Sequence, residues 1–187
     1  MTESDPEVLK RSRAKLLTLM AIAFVPLFIA YAAYFYFPQW APEGTTNQGE
    51  LINPPLNGAD YSESLAAPGS WTLVLPLVSE CDADCEQILY LSRQIVIGLG
   101  KDTSRVKRVL LAPEAVSAPL AGWLKSEHTD LQIIPGDAAA LDAEAAERPL
   151  LYLVDPNGNV ILRYSLEKAG KPMMKDLKHL LRISNIG

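Results

Sequence analysis

Cysteine and histidine are scarce in this chain. Two cysteines, Cys81 and Cys85, and two histidines, His128 and His179, stand in 187 residues. Two cysteines exclude a small scaffold stapled by several disulfides. Two separated histidines leave little for a zinc centre of the His/Cys type. Basic residues are also few: 17 Lys and Arg against 22 Asp and Glu give a net charge of −5. The sequence therefore lacks the basic face of a nucleic-acid binder, and no nucleic-acid partner is expected. A glycine-rich phosphate loop, a Ser/His/Asp set, internal repeats and low-complexity tracts are all missing. What is plentiful is apolar: 49% of residues are hydrophobic and 21% charged, enough for one packed domain with attachments.

Residues 16–37 form a run of 22 positions without a charge. About 20 apolar residues suffice for a helix to cross the ~30 Å hydrocarbon core of a bilayer. Pro26 lies inside the run, where a membrane helix tolerates it. Tyr31, Tyr34, Phe35, Tyr36 and Trp40 crowd its far end, as an interfacial aromatic belt does. Lys10, Arg11, Arg13 and Lys15 precede it, and no Lys or Arg follows until Arg93. That asymmetry predicts a cytoplasmic N-terminus over 1–15, a bilayer anchor over 16–37 and an exported remainder. The alternative is a cleaved signal peptide, whose apolar core runs only ~7–15 residues and ends in small residues rather than aromatics. Beyond the anchor stand 13 basic and 19 acidic residues, a balance that gives no attraction to an anionic lipid surface.

Residues 38–70 read as a linker that becomes a docking segment. Pro38, Pro42, Pro54, Pro55 and Pro68 interrupt any helix, four glycines add turns, and 51–56 is apolar enough to pack on a domain edge. From Trp71 onward strands and helices alternate, over 71–187. Strands are expected at 71–78, 106–111, 131–134, 150–154 and 160–164, and helices at 86–99, 115–126, 138–146 and 172–183. Asp155-Pro156-Asn157-Gly158-Asn159 reads as a hairpin turn. This order supports a mixed α/β sandwich.

Cys81-Asp82-Ala83-Asp84-Cys85 falls where the first strong strand meets its helix. A helix N-terminus carries free N–H groups and roughly half a positive charge, which stabilise a thiolate there. Inside a regular helix the pair is too far apart for a disulfide, but a first cysteine outside the helix closes the gap. The spacing thus allows a reversible disulfide, a two-thiolate clamp for a soft metal such as Cu(I), or a structural bridge. A bridge closing so short a loop adds little stability, which favours redox or metal use. Glu80, Asp82, Asp84 and Glu86 oppose thiolate formation and attract cations. Met173 and Met174 offer thioethers but read as packing. His128 reads as a solvated loop residue and His179 as a surface residue.

With the single anchor, the strand Trp71-Thr72-Leu73-Val74, Cys81-x3-Cys85 and Leu151-Tyr152-Leu153-Val154-Asp155-Pro156-Asn157-Gly158, the chain resembles the SCO/SenC family. These are membrane-anchored thioredoxin-fold proteins that assist cytochrome c oxidase assembly. Residues 47–55 are similar to the leader of a proteobacterial SCO-like branch. The resemblance implies a thioredoxin-like domain behind one N-terminal transmembrane helix, in a bacterial inner membrane with the domain in the periplasm. It implies an oxidase subunit or a copper chaperone as partner. The family's third copper ligand, a histidine shortly before the Tyr-Leu-Val-Asp-Pro strand, has no counterpart in Ala145-Ala146-Glu147-Arg148-Pro149. The full copper site is therefore not carried over, and only Cys81 and Cys85 are expected to hold Cu(I). Pro149 resembles the cis-proline that thioredoxins place beside their cysteine pair. Three readings follow: thiol–disulfide exchange with Cys81 attacking and Cys85 resolving, Cu(I) carriage, and a non-catalytic scaffold with a structural disulfide.

Overall fold

The computed structural model describes residues 6–36, 46–113, 116–141 and 148–184. The chain divides into two compact units, Met1–Thr45 and Thr46–Gly187. The described residues of the first form one helix, α1 (Pro6–Tyr36), which carries Pro26 in its interior. Its segment Lys10–Tyr36, 27 residues, is long and apolar enough to cross a membrane; at 1.5 Å per residue it measures about 40 Å. Leu16, Leu19, Ile22, Val25, Phe28 and Ile29 are exposed on all its sides. A helix apolar all round has no single face reserved for a protein core. Phe37 and Trp40 lie outside the described residues.

The second unit is built on a six-stranded sheet in the order β1-β6-β5-β2-β3-β4. Its strands are β1 (Glu50–Asn57), β2 (Trp71–Pro76), β3 (Val106–Ala112), β4 (Leu131–Pro135), β5 (Leu151–Val154) and β6 (Asn159–Tyr164). The helices are α2 (Ala83–Gly98), α3 (Ala118–Glu127), α4 (Ala138–Leu141) and α5 (Lys171–Ile183). β2, β3 and β4 run parallel, while β5, β6 and β1 pair antiparallel. This is a mixed α/β sandwich, as the order of elements predicts, in the thioredoxin-like arrangement that the resemblance implies. The stretch 142–147, expected as the end of a longer helix, lies outside the described residues.

Central β2 is buried at all six positions. Successive side chains of a strand point to opposite faces, so the sheet feeds two cores. Leu73, Leu75 and Leu110 pack with Ile88, Leu89 and Ile95 of α2 and Met173, Leu177 and Leu181 of α5. Val74, Val109 and Leu111 pack on the other side with Leu65, Ala138 and Leu141.

Residues 46–70 are more than a linker. β1 pairs with β6, Glu50 opposite Arg163 and Asn57 opposite Asn159, with a bulge between Leu51 and Leu56. Pro54 and Pro55 are tolerated because an edge strand needs donors on one side only. The carboxylate of Asp176, on α5, accepts the N–H groups of Gln48 (2.7 Å) and Gly49 (2.9 Å) and the Tyr164 hydroxyl (3.0 Å). Gly49 is required here, because a Cβ would lie 2.5 Å from the Tyr164 ring. Burial, then the charge of Asp176, pushes the Tyr164 phenol well above its ordinary pKa. After β1 the chain folds back over the sheet, with Gly58 N–H donating to Gly158 O (2.7 Å) and Leu65 entering the core.

The β5–β6 turn forms as its composition predicts. Asp155 accepts the N–H groups of Asn157 (2.9 Å) and Asn159 (2.8 Å), and Gly158 takes φ +94°.

Candidate functional site

Parallel β2 delivers the chain to the C-terminal end of the sheet, where Leu77 N–H still bonds Leu111 O at 2.8 Å. Four residues on, Cys81 stands outside the helix, Asp82 caps it and Cys85 occupies its third position. The Asp82 carboxylate accepts Cys85 N–H at 2.9 Å, and the Asp82 carbonyl accepts Glu86 N–H at 2.9 Å. Asp84 and Glu86 in the first turn suit the positive end of the helix dipole.

This break between loop and helix brings the two sulfurs together. Cys81 and Cys85 form a disulfide with Cα atoms 5.2 Å apart. The sulfurs differ in access: Cys85 is 5% exposed and packed in the core, whereas Cys81 is only partly buried. Exchange requires attack on a reachable sulfur, and that sulfur is Cys81. Around it Glu80, Asp82, Asp84 and Glu86 are all exposed.

Pro149 stands two residues before β5. The β2–β5 register, Thr72 opposite Val154 and Val74 opposite Tyr152, extends to place Pro149 opposite Leu77, at the cysteine end of the sheet. The resemblance to the thioredoxin cis-proline leaves the Pro149 bond open between cis and trans; among the described residues the cis peptide bond is Asn53–Pro54. Pro54 belongs to bulged edge strand β1, far along the sheet order from β2.

Among the described residues no cluster of three His, Cys, Asp or Glu side chains could hold a metal ion. Of the stretch 145–149, which has no counterpart of the family's histidine, residues 145–147 lie outside the described residues. His179 is on α5 beside Arg182, 2.9 Å from its guanidinium. Reduction would free two sulfurs, and no His, Asp or Glu joins them in a metal-holding group among the described residues.

His128 is not a solvated loop residue. It is 4% exposed and its ring lies edge-on to Trp123 at 5.0 Å. Arg108, 1% exposed on β3, donates to His128 Nδ1 (3.2 Å), Leu89 O (2.8 Å), Ser92 Oγ (3.0 Å) and both Asp130 oxygens (3.1 Å). Burial, reinforced by the Arg108 charge, pushes the His128 pKa down. Burial opposes the Asp130 carboxylate, but the hydrogen bond and charge of Arg108 outweigh it and hold its pKa below the ordinary value. The cluster sits where β4 begins, at the end of the parallel strands opposite Cys81. It is therefore structural, and His128 does not supply the cysteines with a ligand. The sequence signal for it is parity: Arg108 shares a strand face with buried Val106 and Leu110.

Residues 71–184 match the sequence model of the family described as "Transmembrane-like, thioredoxin-like, C-terminal domain". Among solved structures, apo Sco1 from Thermus thermophilus is 16% identical, with a TM-score of 0.50, covering 75% of this chain and 99% of that one. Copper-bound ScoI from Bradyrhizobium japonicum is 20% identical, with a TM-score of 0.46, covering 70% and 98%. Yeast Sco1 is 15% identical, with a TM-score of 0.49, covering 65% and 84%. At these identities the likeness concerns the fold. No curated protein matches the chain.

Proposed function

This chain belongs to the transmembrane-like, thioredoxin-like family, and from that premise we propose a single-pass protein of a bacterial inner membrane that assists cytochrome c oxidase assembly. Its N-terminus is cytoplasmic and its domain periplasmic. Its chemistry is thiol–disulfide exchange at Cys81 and Cys85. The observation that carries this reading is the disulfide straddling the start of α2, with one sulfur accessible and the other buried.

In the reduced protein the Cys81 thiolate attacks one sulfur of a partner disulfide. A mixed disulfide forms, and the partner's other sulfur leaves as a thiolate and takes up a proton. Cys85, deprotonated, then attacks Cys81 Sγ, closing the internal disulfide and releasing the partner's second thiolate. Two electrons pass to the partner, which ends as a dithiol, and a membrane-side dithiol reductant resets the pair. Oxidase subunits or copper chaperones, whose metal-binding cysteines must be reduced before loading, suit this role. Pro149 would line the partner's approach, a role supported by its position across the sheet end from Leu77.

The Cys85→Ser variant is expected to accumulate mixed disulfides through Cys81, which the Cys81→Ser variant does not. Mass spectrometry of the trapped species then identifies the partner. A Cys81–Cys85 bond that resists every biological dithiol, with a potential below about −300 mV, would instead mark a structural bridge. Reporter fusions after Trp40 and after Ser70 test the topology: activity of an exported reporter is expected at both, and of a cytoplasmic reporter at neither.

A second reading rests on the same two sulfurs. Once reduced they offer a soft pair for Cu(I) as cargo. Cu(I) titration of the reduced chain against the Cys81→Ser/Cys85→Ser variant separates carriage from exchange alone.

A further inference from the structure

The geometry points to β4 as a self-pairing edge, through which two copies of this chain join in a two-fold dimer about Ile133. The sheet has two edges and they differ. β1 carries Pro54, Pro55 and a bulge, devices that deny a neighbouring strand a regular ladder. β4 has no charged residue, and its Ile133 is 45% exposed. An edge guarded on one side and open on the other excludes head-to-tail filaments of β4 on β1. It leaves β4 on β4, an isologous contact that closes at two copies.

The backbone singles out the register. Gly136 donates its N–H to Ala112 O at 3.0 Å, so even-numbered positions face β3 and odd-numbered positions face outward. Of the outward groups, Leu131 N–H is taken by His128 O at 2.9 Å, and Pro135 has no N–H and accepts the Ser62 hydroxyl at 2.8 Å. Ile133 keeps both N–H and C=O outward. A residue offering one donor and one acceptor on an open edge is complementary to its own two-fold copy. Antiparallel pairing centred there forms two reciprocal Ile133 N–H to Ile133 O bonds.

The side chains agree with this register. It sets Gln132 opposite Ile134, Asp130 opposite Gly136 and Thr129 opposite Asp137, so no like charges meet. The two Ile133 side chains meet on the face that carries α3. They close over grooves of about 570 Å³, each lined by Leu124, Leu131 and Ile133 with Lys125 at the rim. Two hydrogen bonds make a weak contact in dilute solution. Confinement of both copies by their anchors raises the local concentration that such a contact needs.

The register supplies its own test, read in the full chain reconstituted into lipid bilayers. A hydrogen-bonded antiparallel pair has Cα atoms about 5.5 Å apart, within the range of about 4.4–6.8 Å that a disulfide spans. In a Cys81→Ser/Cys85→Ser background, Ile133→Cys should cross-link to itself under copper–phenanthroline oxidation at least tenfold faster than Thr129→Cys. In this register position 129 lies about 27 Å from its own copy along the strands. With the native cysteines kept, Ile133→Lys should lower the dimer fraction measured by mass photometry at least fivefold. Equal cross-linking at positions 133 and 129, or a wild-type chain that stays single in bilayers, overturns the proposal. So does an Ile133→Cys chain trapped on a different polypeptide in native membranes but uncross-linked in pure bilayers.

Discussion

Arg108 is the most heavily committed polar side chain of the domain, and replacing it with methionine should show what its cluster is worth. Methionine keeps most of the buried apolar stem, so the change isolates the guanidinium. Leu89 O retains its bond from Ser92 Oγ (2.8 Å) and is not orphaned. The Asp130 side chain is half exposed and turns to water. His128 Nδ1 loses its donor, and Ser92 loses its bond to Arg108 Nε. A buried unsatisfied group costs about 1–3 kcal/mol; His128 Nδ1 falls in that range and Ser92 Oγ, which keeps its bond to Leu89 O, near its lower end, so the sum is about 2–4 kcal/mol, at or under the ~3–5 expected when a fully buried ion pair is broken. At about 2–4 °C per kcal/mol, Tm in circular-dichroism melts at pH 7.5 should fall by about 5–15 °C. The pH dependence checks the cause. Because the His128 pKa is depressed in the folded state, its contribution is complete above the unfolded value of about 6.5. It is lost as pH falls through the lower folded value, where the unfolded chain holds more protons. Asp130, also depressed, adds a loss at more acidic pH, as pH falls through its own folded value. Without Arg108 the largest charge lowering the His128 pKa is gone, so the slope of stability between pH 7 and 5 should flatten. A variant that melts within 1 °C of wild type, or keeps the full slope, would refute this reasoning.

Asp176→Ala removes the acceptor of Gln48 N–H, Gly49 N–H and Tyr164 OH; a loss of about 2–4 kcal/mol is expected, with faster hydrogen exchange at Gln48 and Gly49. Gly158→Ala meets both a positive φ and a Cβ position against the Ala66 carbonyl, so chemical denaturation should show a loss above ~1 kcal/mol. Asp82→Ala deletes the cap on Cys85 N–H and should cost about 0.5–2 kcal/mol, whereas Asp82→Asn, also a good cap, should stay within ~0.5 kcal/mol.

What could be read in advance followed periodicity and punctuation. The apolar strands of 71–78, 106–111 and 150–154 and the Asp155–Asn159 turn announce themselves because burial on both faces and turn chemistry each leave a local mark. The disulfide can be anticipated from Cys81-x3-Cys85 at a helix start, though its geometry depends on Cys81 standing outside α2, which the Asp82 cap decides. β1 was missed because prolines argue against a strand until its place at an edge is known, and that place is set by β6, more than a hundred residues later. Arg108 was passed over within an apolar run, although its parity points inward. His128 read as solvated because Glu127 and Asp130 flank it, while the residue that buries it lies on another strand. Pro149 stands just ahead of β5, and the conformation of its peptide bond is a tertiary matter.

The Asp176 clamp changes where this domain must be considered to start. The family match opens at Trp71, yet a soluble fragment cut there would lose Gln48 and Gly49, two of the three donors that hold the Asp176 carboxylate inside the protein. It would also strip β1 from β6 and leave that strand's edge bare to other chains. A fragment beginning at Thr46 keeps both the clamp and the guarded edge. The autonomous unit is therefore about 25 residues longer than the homologous one. A protease that releases the domain from its anchor leaves it intact only when it cuts ahead of Gln48.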